Sequence, residues 1–346
     1  MPRQMRAAVF SEFGSPDVVH IEQVPVPEPG LGEVRVKVGA SSLNHLDVWV
    51  RRGLPVGTVM PHIGGSDIAG TVDALGPGVT EVVPGTRVAV DPSLHYGWYD
   101  GQDQGAGFEA RPFQILGEHT QGGFAEYAVV PAANLLALPD HVPFESAAAA
   151  GLVFVTAWRA LMTRARLRAG ERVLVTGASG GVSTAAIQIA KLAGATVYAV
   201  TSGPENVERV RALGADHVYD RKRVEDFSRE IWRETEKKGV HVALDSVGEV
   251  LWPQCLKALG VGGRLVSYGA TTGARGTTEI RVVFWKQLSI LGTTMGSPAE
   301  YREVMRLMFA GKLQPVIHRV MPLADAAEAH ALMEAGSVFG KLVLVP

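Results

Sequence analysis

The sequence predicts an α/β protein built from two parts, a doubly wound parallel sheet and a separate β domain. Three observations carry this. From residue 171 onward, apolar runs and amphipathic stretches alternate about every 25–30 residues, the spacing of βαβ units. The first 135 or so residues instead hold short β-branched runs cut by glycine and proline turns. The length, 346 residues, is also more than one ordinary core supports.

The β-rich part contains "MRAAVF", "VVHIEQV", "EVRVKVGASS", "IAGTVDAL" and "TRVAV", each expected as a strand. "VPVPEPGLGE" is a loop between two of them. Residues 91–117 show weak periodicity, and a segment of that length in a compact domain usually forms a functional or interface lobe. "SAAAAGLVFVTAW", 146–158, is short for a membrane span and rich in small residues, so a buried helix is expected. "RVLVTG" then predicts a buried strand and "GGVSTAAIQIAKLAG" a helix ended by glycine. "TVYAVTS" is the next strand. "PENVERVRALG" is the next helix, with Pro204 at its start and Gly214 past its end. "HVYD", "VHVALDSVG" and "RLVSYGA" continue the sheet, separated by the helices "VEDFSREIWRETEKK" and "LWPQCLKAL". Beyond residue 295 come two helices, "PAEYREVMRLMFAG" and "ADAAEAHALMEAG", with "VIHRVMPL" between them and the strand "KLVLVP" last. This tail is expected to return to the first domain.

Composition narrows the function. A net charge of −2 gives no basic face for phosphate backbones, so nucleic acid is not an expected partner. The lone Cys255 excludes an intramolecular disulfide and a cysteine cluster for zinc. The opening "MPRQMRAAVF" lacks the apolar stretch of a signal peptide. A soluble cytoplasmic protein, acting on small molecules and away from membranes, is expected.

"VLVTGASGGVS", 173–183, follows a strand and opens a helix. Glycines there let the backbone approach a pyrophosphate, and the helix N-terminus offers free N–H groups. Gly180, Gly181 and Val182 are the expected contacts. Relative to G-x-G-x-x-G, Ala178 and Ser183 replace the outer glycines, and both are small. At the end of the second strand, where an NAD enzyme usually places Asp or Glu, stand Thr201, Ser202 and Gly203. Arg221 follows the third strand. This pattern favours NADP(H), with NAD(H) the alternative. "DSVG" (245–248) and "SYGA" (267–270) end parallel strands, so Val247, Gly269 and Ala270 are expected beside the nicotinamide.

As an ordered set, "LNHLDVW", "PHIGGSDIAGTVDALGPGV", "PGTRV", "ILGEHTQGGFAEYAVVP", "TGASGGV", "AAIQIAKLAGA", "LSILGTTMGS" and "VFGKLVLVP" resemble the medium-chain dehydrogenase/reductase superfamily over nearly the whole chain. The resemblance implies a GroES-like catalytic domain, 1–151 and 296–346, around a Rossmann domain, 152–295. The superfamily's zinc alcohol dehydrogenases hold catalytic zinc with two cysteines and a histidine. Those positions fall here on Asn44, Leu152 and Ser66, with Asp67 where a glutamate stands and Leu46 at the proton-relay hydroxyl. The four cysteines of the structural-zinc lobe are also missing, and Tyr96, Trp98, Tyr99 and Phe108 are expected to hold that lobe by packing. The chain therefore resembles the zinc-free branch, the NADPH:quinone reductases and 2-enoyl thioester reductases. The resemblance further implies cofactor contacts at His45, Thr156 and Lys341, and a homodimer paired through "LSILGTTMGS".

Without a metal, hydride transfer to a conjugated carbonyl needs close positioning and donors toward the acceptor oxygen. Asn44, Ser66, Asp67 and Glu118 are the expected catalytic residues, with Asn44 the first choice of donor. Asp47 is expected on Ser66 or a backbone group. The proton comes from Glu118, His119, His62 or water, with water ranked first. Two other readings stand beside this: an alcohol dehydrogenase with an atypical shell of His45, Asp67 and His62, and a crystallin-like NADPH-binding protein of low turnover.

Overall fold

A computed structural model describes residues 3–55, 57–96 and 113–346. The chain divides into two compact units, Met1–Leu152 with Gly296–Pro346, and Val153–Met295.

The first unit opens with β1 (Gln4–Phe10), β2 (His20–Pro25) and β3 (Glu33–Ser42). The short helix α1 (His45–Arg51) follows, then β4 (His62–Ile63), β5 (Asp67–Leu75) and β6 (Arg87–Val90). Next come the two-residue strands β7 (Ser93–Leu94) and β8 (Gln114–Ile115), then β9 (Tyr127–Pro131) and β10 (Leu135–Ala137). Helix α2 (Phe144–Trp158) leads out of the unit and runs directly into a π-helical stretch, Arg159–Arg164. The sequence pattern gave no sign of that widened turn. By length and composition Phe144–Arg164 would cross a membrane, but 78% of its apolar window is buried, as in the core helix of a soluble protein.

The second unit contains β11 (Arg172–Val175), α3 (Gly181–Leu192), β12 (Thr196–Thr201), α4 (Pro204–Ala212), β13 (His217–Asp220) and α5 (Phe227–Glu234). It continues with β14 (Val240–Asp245), α6 (Trp252–Ala258), β15 (Leu259–Ser267), α7 (Ile280–Trp285) and β16 (Ser289–Gly292). The chain then returns to the first unit with α8 (Pro298–Phe309), β17 (Ile317–Pro322), α9 (Ala326–Glu334) and β18 (Lys341–Val345).

In the first unit, β3 is the hub. It pairs antiparallel with β5, β9 and β18, and its alternate Val34, Val36 and Val38 are buried with Ile68, Val88 and Leu116. The register sets Val343 against Ser42, and Leu43 N–H donates to the Leu342 carbonyl at 2.9 Å. This brings Lys341, nearly 300 residues away in sequence, beside the residue that ends the strand run.

In the second unit the strand order is β13-β12-β11-β14-β15-β16, with every pairing parallel. The order reverses between β11 and β14, the position where such sheets bind ligands. The helix expected over 224–238 is shorter. Asp226 caps it by accepting from Ser228 N–H, and Glu236 and Lys237 take positive φ of 51° and 63°, which ends it. Helix α7 was not expected.

Of the aromatic residues expected to pack the 91–117 lobe, Tyr96 is buried edge-on to Phe113 at 5.2 Å. Trp98, Tyr99 and Phe108 lie outside the described residues.

Candidate active site and cofactor site

The stretch from β3 into α1 makes a buried polar cluster. Asn44 is extended (φ −120°, ψ 160°) and stands just before the helix. Its backbone N–H donates to Asp47 Oδ2 at 2.7 Å, and Gly65 N–H donates to Asp47 Oδ1 at 2.9 Å. Asp47 therefore bonds two backbone groups, not Ser66. Burial pushes its carboxyl up to about 6, against the lowering by those two N–H groups and by Lys341.

Asp67, the first residue of β5, is fully buried and gathers four donors. Oδ2 accepts from Ser42 Oγ at 3.0 Å, Asn44 Nδ2 at 2.8 Å and Lys341 Nζ at 3.2 Å. Oδ1 accepts from Leu152 N–H at 2.6 Å. Gly151 makes this approach possible, since a Cβ there would lie 2.4 Å from Asp67 Oδ1. Lys341 also donates to Asn44 Oδ1. A donor-only cation on one side and a carboxylate on the other fix which way the Asn44 amide faces. Among the described residues, no acceptor takes its second Nδ2 hydrogen. Burial holds the Lys341 ammonium below its ordinary range, opposed by Asp67 and Asp47.

A second polar edge lies against this cluster. Gly117 (φ +75°) packs on Gly65 and Ser66, where a Cβ would come within 2.6 Å of the Gly65 carbonyl carbon. Ser66 is fully buried and its hydroxyl has no partner among the described residues. Glu118 is 5% exposed, and its Oε2 also has no hydrogen-bond partner among the described residues. Burial, with a smaller contribution from Asp47, pushes its carboxyl up to about 7. His119 Nδ1 accepts from Ile115 N–H at 3.1 Å and lies 3.6 Å from Glu118 Oε2. His62 Nε2 is 3.0 Å from the Gly117 carbonyl, and burial holds its ring below the usual imidazole range. A cavity of about 10 Å³ lined by Asp47, Gly64, Gly117, Phe124 and His330 is the size of one water.

The expected residues have the following surroundings. Asn44 is not simply a free donor, because Asp67 and Lys341 claim most of its amide. Lys341, expected on the cofactor, is 2% exposed and belongs to the carboxylate cluster. Sequence spacing hid it, as it hid Ser42, because strand pairing across the chain brings them together. His45 is exposed and meets Trp49 ring to ring at 5.5 Å, apart from the buried polar groups. The alternative shell of His45, Asp67 and His62 is not assembled, and the described residues contain no group of three or more His, Cys, Asp or Glu suited to a metal.

The donors at the matched zinc positions do not fit the superfamily's shell either. Asn44 brings an amide, Ser66 a hydroxyl and Leu152 only a backbone N–H, where that shell uses two thiolates and an imidazole. The cation among these groups is Lys341.

At its topological switch the second unit carries a glycine turn of the kind that suits a dinucleotide. Gly177 (φ +55°) turns the chain after β11, and Gly180 N–H closes the turn on Gly177 O at 2.9 Å. Gly181, Val182 and Ser183 then begin α3, where N–H groups lack intrahelical partners and face an incoming anion. The buried Ser183 hydroxyl donates to Thr176 O and meets Tyr268 Oη, both at 2.9 Å, which ties the helix start to two strand ends. Asp245 accepts from Thr176 Oγ1 at 2.6 Å and from the N–H groups of Val247 and Gly248. It thereby shapes the turn that presents Val247. Gly269 packs on Ser246, and Ala270 beyond it is exposed. Thr156 is buried in α2.

At the end of β12, Arg221 N–H donates to Thr201 O at 3.0 Å and Arg221 Nε to Ser202 Oγ at 2.6 Å. The Thr201 hydroxyl is buried without a partner among the described residues. A carboxylate does stand nearby, which the sequence reading missed. Asp220 Oδ1 accepts from the N–H groups of Gly203 and Lys222, both at 3.0 Å. Those two bonds hold its carboxyl below the usual range.

Residues 30–140 match the alcohol dehydrogenase GroES-like domain, and residues 181–310 match the zinc-binding dehydrogenase family. The quinone oxidoreductase of Homo sapiens is 32% identical, over 99% of this chain and 98% of that one. The chain belongs to the medium-chain dehydrogenase/reductase superfamily. It is an oxidoreductase of the quinone and enoyl reductase branch, and the glycine turn of Val153–Met295 fits a pyridine nucleotide. A solved structure described as an NAD-dependent alcohol dehydrogenase is 44% identical, with a TM-score of 0.93 over 99% of this chain and 100% of that one. A crotonyl-CoA carboxylase/reductase solved in complex with NADP is 27% identical, with a TM-score of 0.89 over 100% of this chain and 95% of that one.

Proposed function

We propose that this oxidoreductase transfers hydride from NADPH to a quinone, an enone or an enoyl thioester without a catalytic metal. One observation carries the reading. The buried cation at the residues aligned with the zinc shell is the Lys341 ammonium, held by Asn44 and Asp67. The names of the two relatives, a quinone oxidoreductase and a crotonyl-CoA carboxylase/reductase, support the acceptor class.

A bound nicotinamide supplies the hydride. The chain supplies the rest. A conjugated acceptor is reduced when its oxygen, where charge develops, meets fixed donors. Among the described residues, nothing accepts one of the Asn44 amide hydrogens, and the buried Ser66 hydroxyl has no partner. Both are offered to that oxygen. Glu118, pushed up to about 7, holds a proton for part of the time at neutral pH, and water replenishes it.

NADP(H) is proposed over NAD(H) on the pairing of Arg221 with Ser202, which places a guanidinium at the strand end that receives a ribose 2′-phosphate. The Asp220 carboxylate and the NAD-dependent relative weigh the other way. Measuring kcat/KM with NADPH and with NADH decides between them.

A homodimer is also proposed. Strand β16 is an edge strand, with Ile290 43% exposed on it, and Phe284 and Trp285 before it are 62% and 82% exposed. A second copy pairing along this edge covers both features. A monomer by light scattering overturns it. The single, buried Cys255 supports a cytoplasmic location, which cell fractionation tests.

The function is tested by following NADPH oxidation with a 1,4-naphthoquinone, a simple enone and a short 2-enoyl thioester. Turnover of at least one acceptor is expected, and no turnover of any of them overturns the proposal.

A further inference from the structure

Lys341 is buried, paired with Asp67 and bonded to the side chain proposed as the main donor, yet its amine is too enclosed to meet an acceptor itself. We propose that Lys341 is a positioning residue that acts through Asn44, orienting and polarising its amide so that the unclaimed N–H meets the acceptor oxygen. The inference deepens the proposed function and rests on it.

Three features carry it. First, Lys341 donates to Asn44 Oδ1 while Asn44 Nδ2 donates to Asp67 Oδ2 at 2.8 Å. The amide thus lies between a cation on its oxygen and an anion on one of its hydrogens. That arrangement leaves a single orientation, in which the second N–H keeps a fixed direction. Second, a cation on a carbonyl oxygen draws electron density through the amide and strengthens its N–H groups as donors, by roughly 10–30% per bond in a low-dielectric site. Third, the position is built by the fold. Leu43 N–H on Leu342 O at 2.9 Å and the pairing of Ser42 with Val343 fix Lys341 against Asn44 by strand register. A positive charge that a metal would otherwise bring to a donor is supplied by a side chain and applied one bond further back.

The charged groups facing Lys341 come from several elements. Asp67 lies at the start of β5 and Asp47 on α1, and both oppose its burial. Asp67 also holds Ser42 and Leu152 N–H, so it stays fixed if Lys341 changes.

A double-mutant cycle tests the proposal, with NADPH and a 1,4-naphthoquinone as substrates. Lys341→Met keeps the aliphatic stem, Lys341→Arg keeps the charge, and each is combined with Asn44→Ala. The double variant Lys341→Met/Asp67→Asn removes both charges, which keeps the test open if the single variant does not fold. The expected result for Lys341→Met is a kcat lower by roughly ten- to a hundredfold, as for partners behind a functional ligand, with the KM for NADPH little changed. Lys341→Arg recovers part of the loss. In the Asn44→Ala background, Lys341→Met has almost no further effect on kcat. The double charge-removal variant folds and shows a kcat deficit at least as large, because Asp67 also holds the Asn44 amide. Equal losses in the two backgrounds overturn the proposal, as does a raised KM for NADPH with unchanged kcat, which instead marks a cofactor contact. If Asn44→Ala alone leaves kcat intact, the donor role assigned to Asn44 fails. If Asn44→Ala is damaging and Lys341→Met is not, only the positioning role fails.

Discussion

Replacing Asp67 by asparagine tests how tightly the buried cluster is held. The carboxylate accepts from Ser42, Asn44 and Lys341 on Oδ2 and from Leu152 N–H on Oδ1. An amide of the same shape has one oxygen. With that oxygen toward Ser42, Asn44 and Lys341, its NH₂ meets Leu152 N–H, donor against donor. Turned over, its NH₂ meets three donors, including the ammonium. The first orientation is the milder, but it still takes the carboxylate oxygen away from Leu152 N–H and leaves Lys341 buried without the Asp67 charge. Removing one partner of a buried ion pair costs about 3–5 kcal/mol. For a unit of this size, each kcal/mol lowers the melting temperature by about 2–4 °C, so Asp67→Asn is expected to melt roughly 6–20 °C lower. Differential scanning calorimetry on the full chain, without cofactor, reads this. A shift under about 2 °C would refute the picture of Asp67 as the anchor of the cluster.

Other expectations follow from the same geometry. Gly151→Ala puts a Cβ 2.4 Å from Asp67 Oδ1, and overpacking of this kind costs about 1–3 kcal/mol, readable as a lower urea midpoint. Arg221→Ala is expected to raise the KM for NADPH roughly ten- to a hundredfold, the value of a hydrogen bond to a charged group, and to leave the KM for NADH nearly unchanged. Equal effects on both would remove Arg221 from the 2′-phosphate site. Glu118 donates only in its acid form, so kcat is expected to fall as pH rises through about 7. Glu118→Gln should flatten that limb of the profile, and an unchanged limb assigns it to another group.

The fold was legible because the signals were local. The strand, glycine turn and helix around Gly177–Leu192 follow from spacing and helix-end chemistry, and the structure keeps them nearly residue for residue. Where the helix over 224–238 proved shorter, the cause was backbone conformation at Glu236 and Lys237, which carry no proline or glycine to announce it. The site was legible only in part. The polar set Asn44, Ser66, Asp67 and Glu118 stood out from apolar surroundings. The role of Lys341 depends on β18 pairing with β3, a long-range register that no local pattern encodes. The same holds for Asp220, which reaches Gly203 only because β12 and β13 lie side by side.

The central claim is that this chain reduces a conjugated carbonyl with a nicotinamide cofactor and needs no metal to do so. The most direct test is NADPH oxidation by a 1,4-naphthoquinone, before and after exhaustive dialysis against a strong chelator, with zinc content measured on the same samples. The account predicts turnover that the chelator leaves unchanged and that added zinc does not raise. Stoichiometric zinc, lost together with activity and restored with it, would contradict the account and make Asn44, Ser66 and Asp67 a metal site.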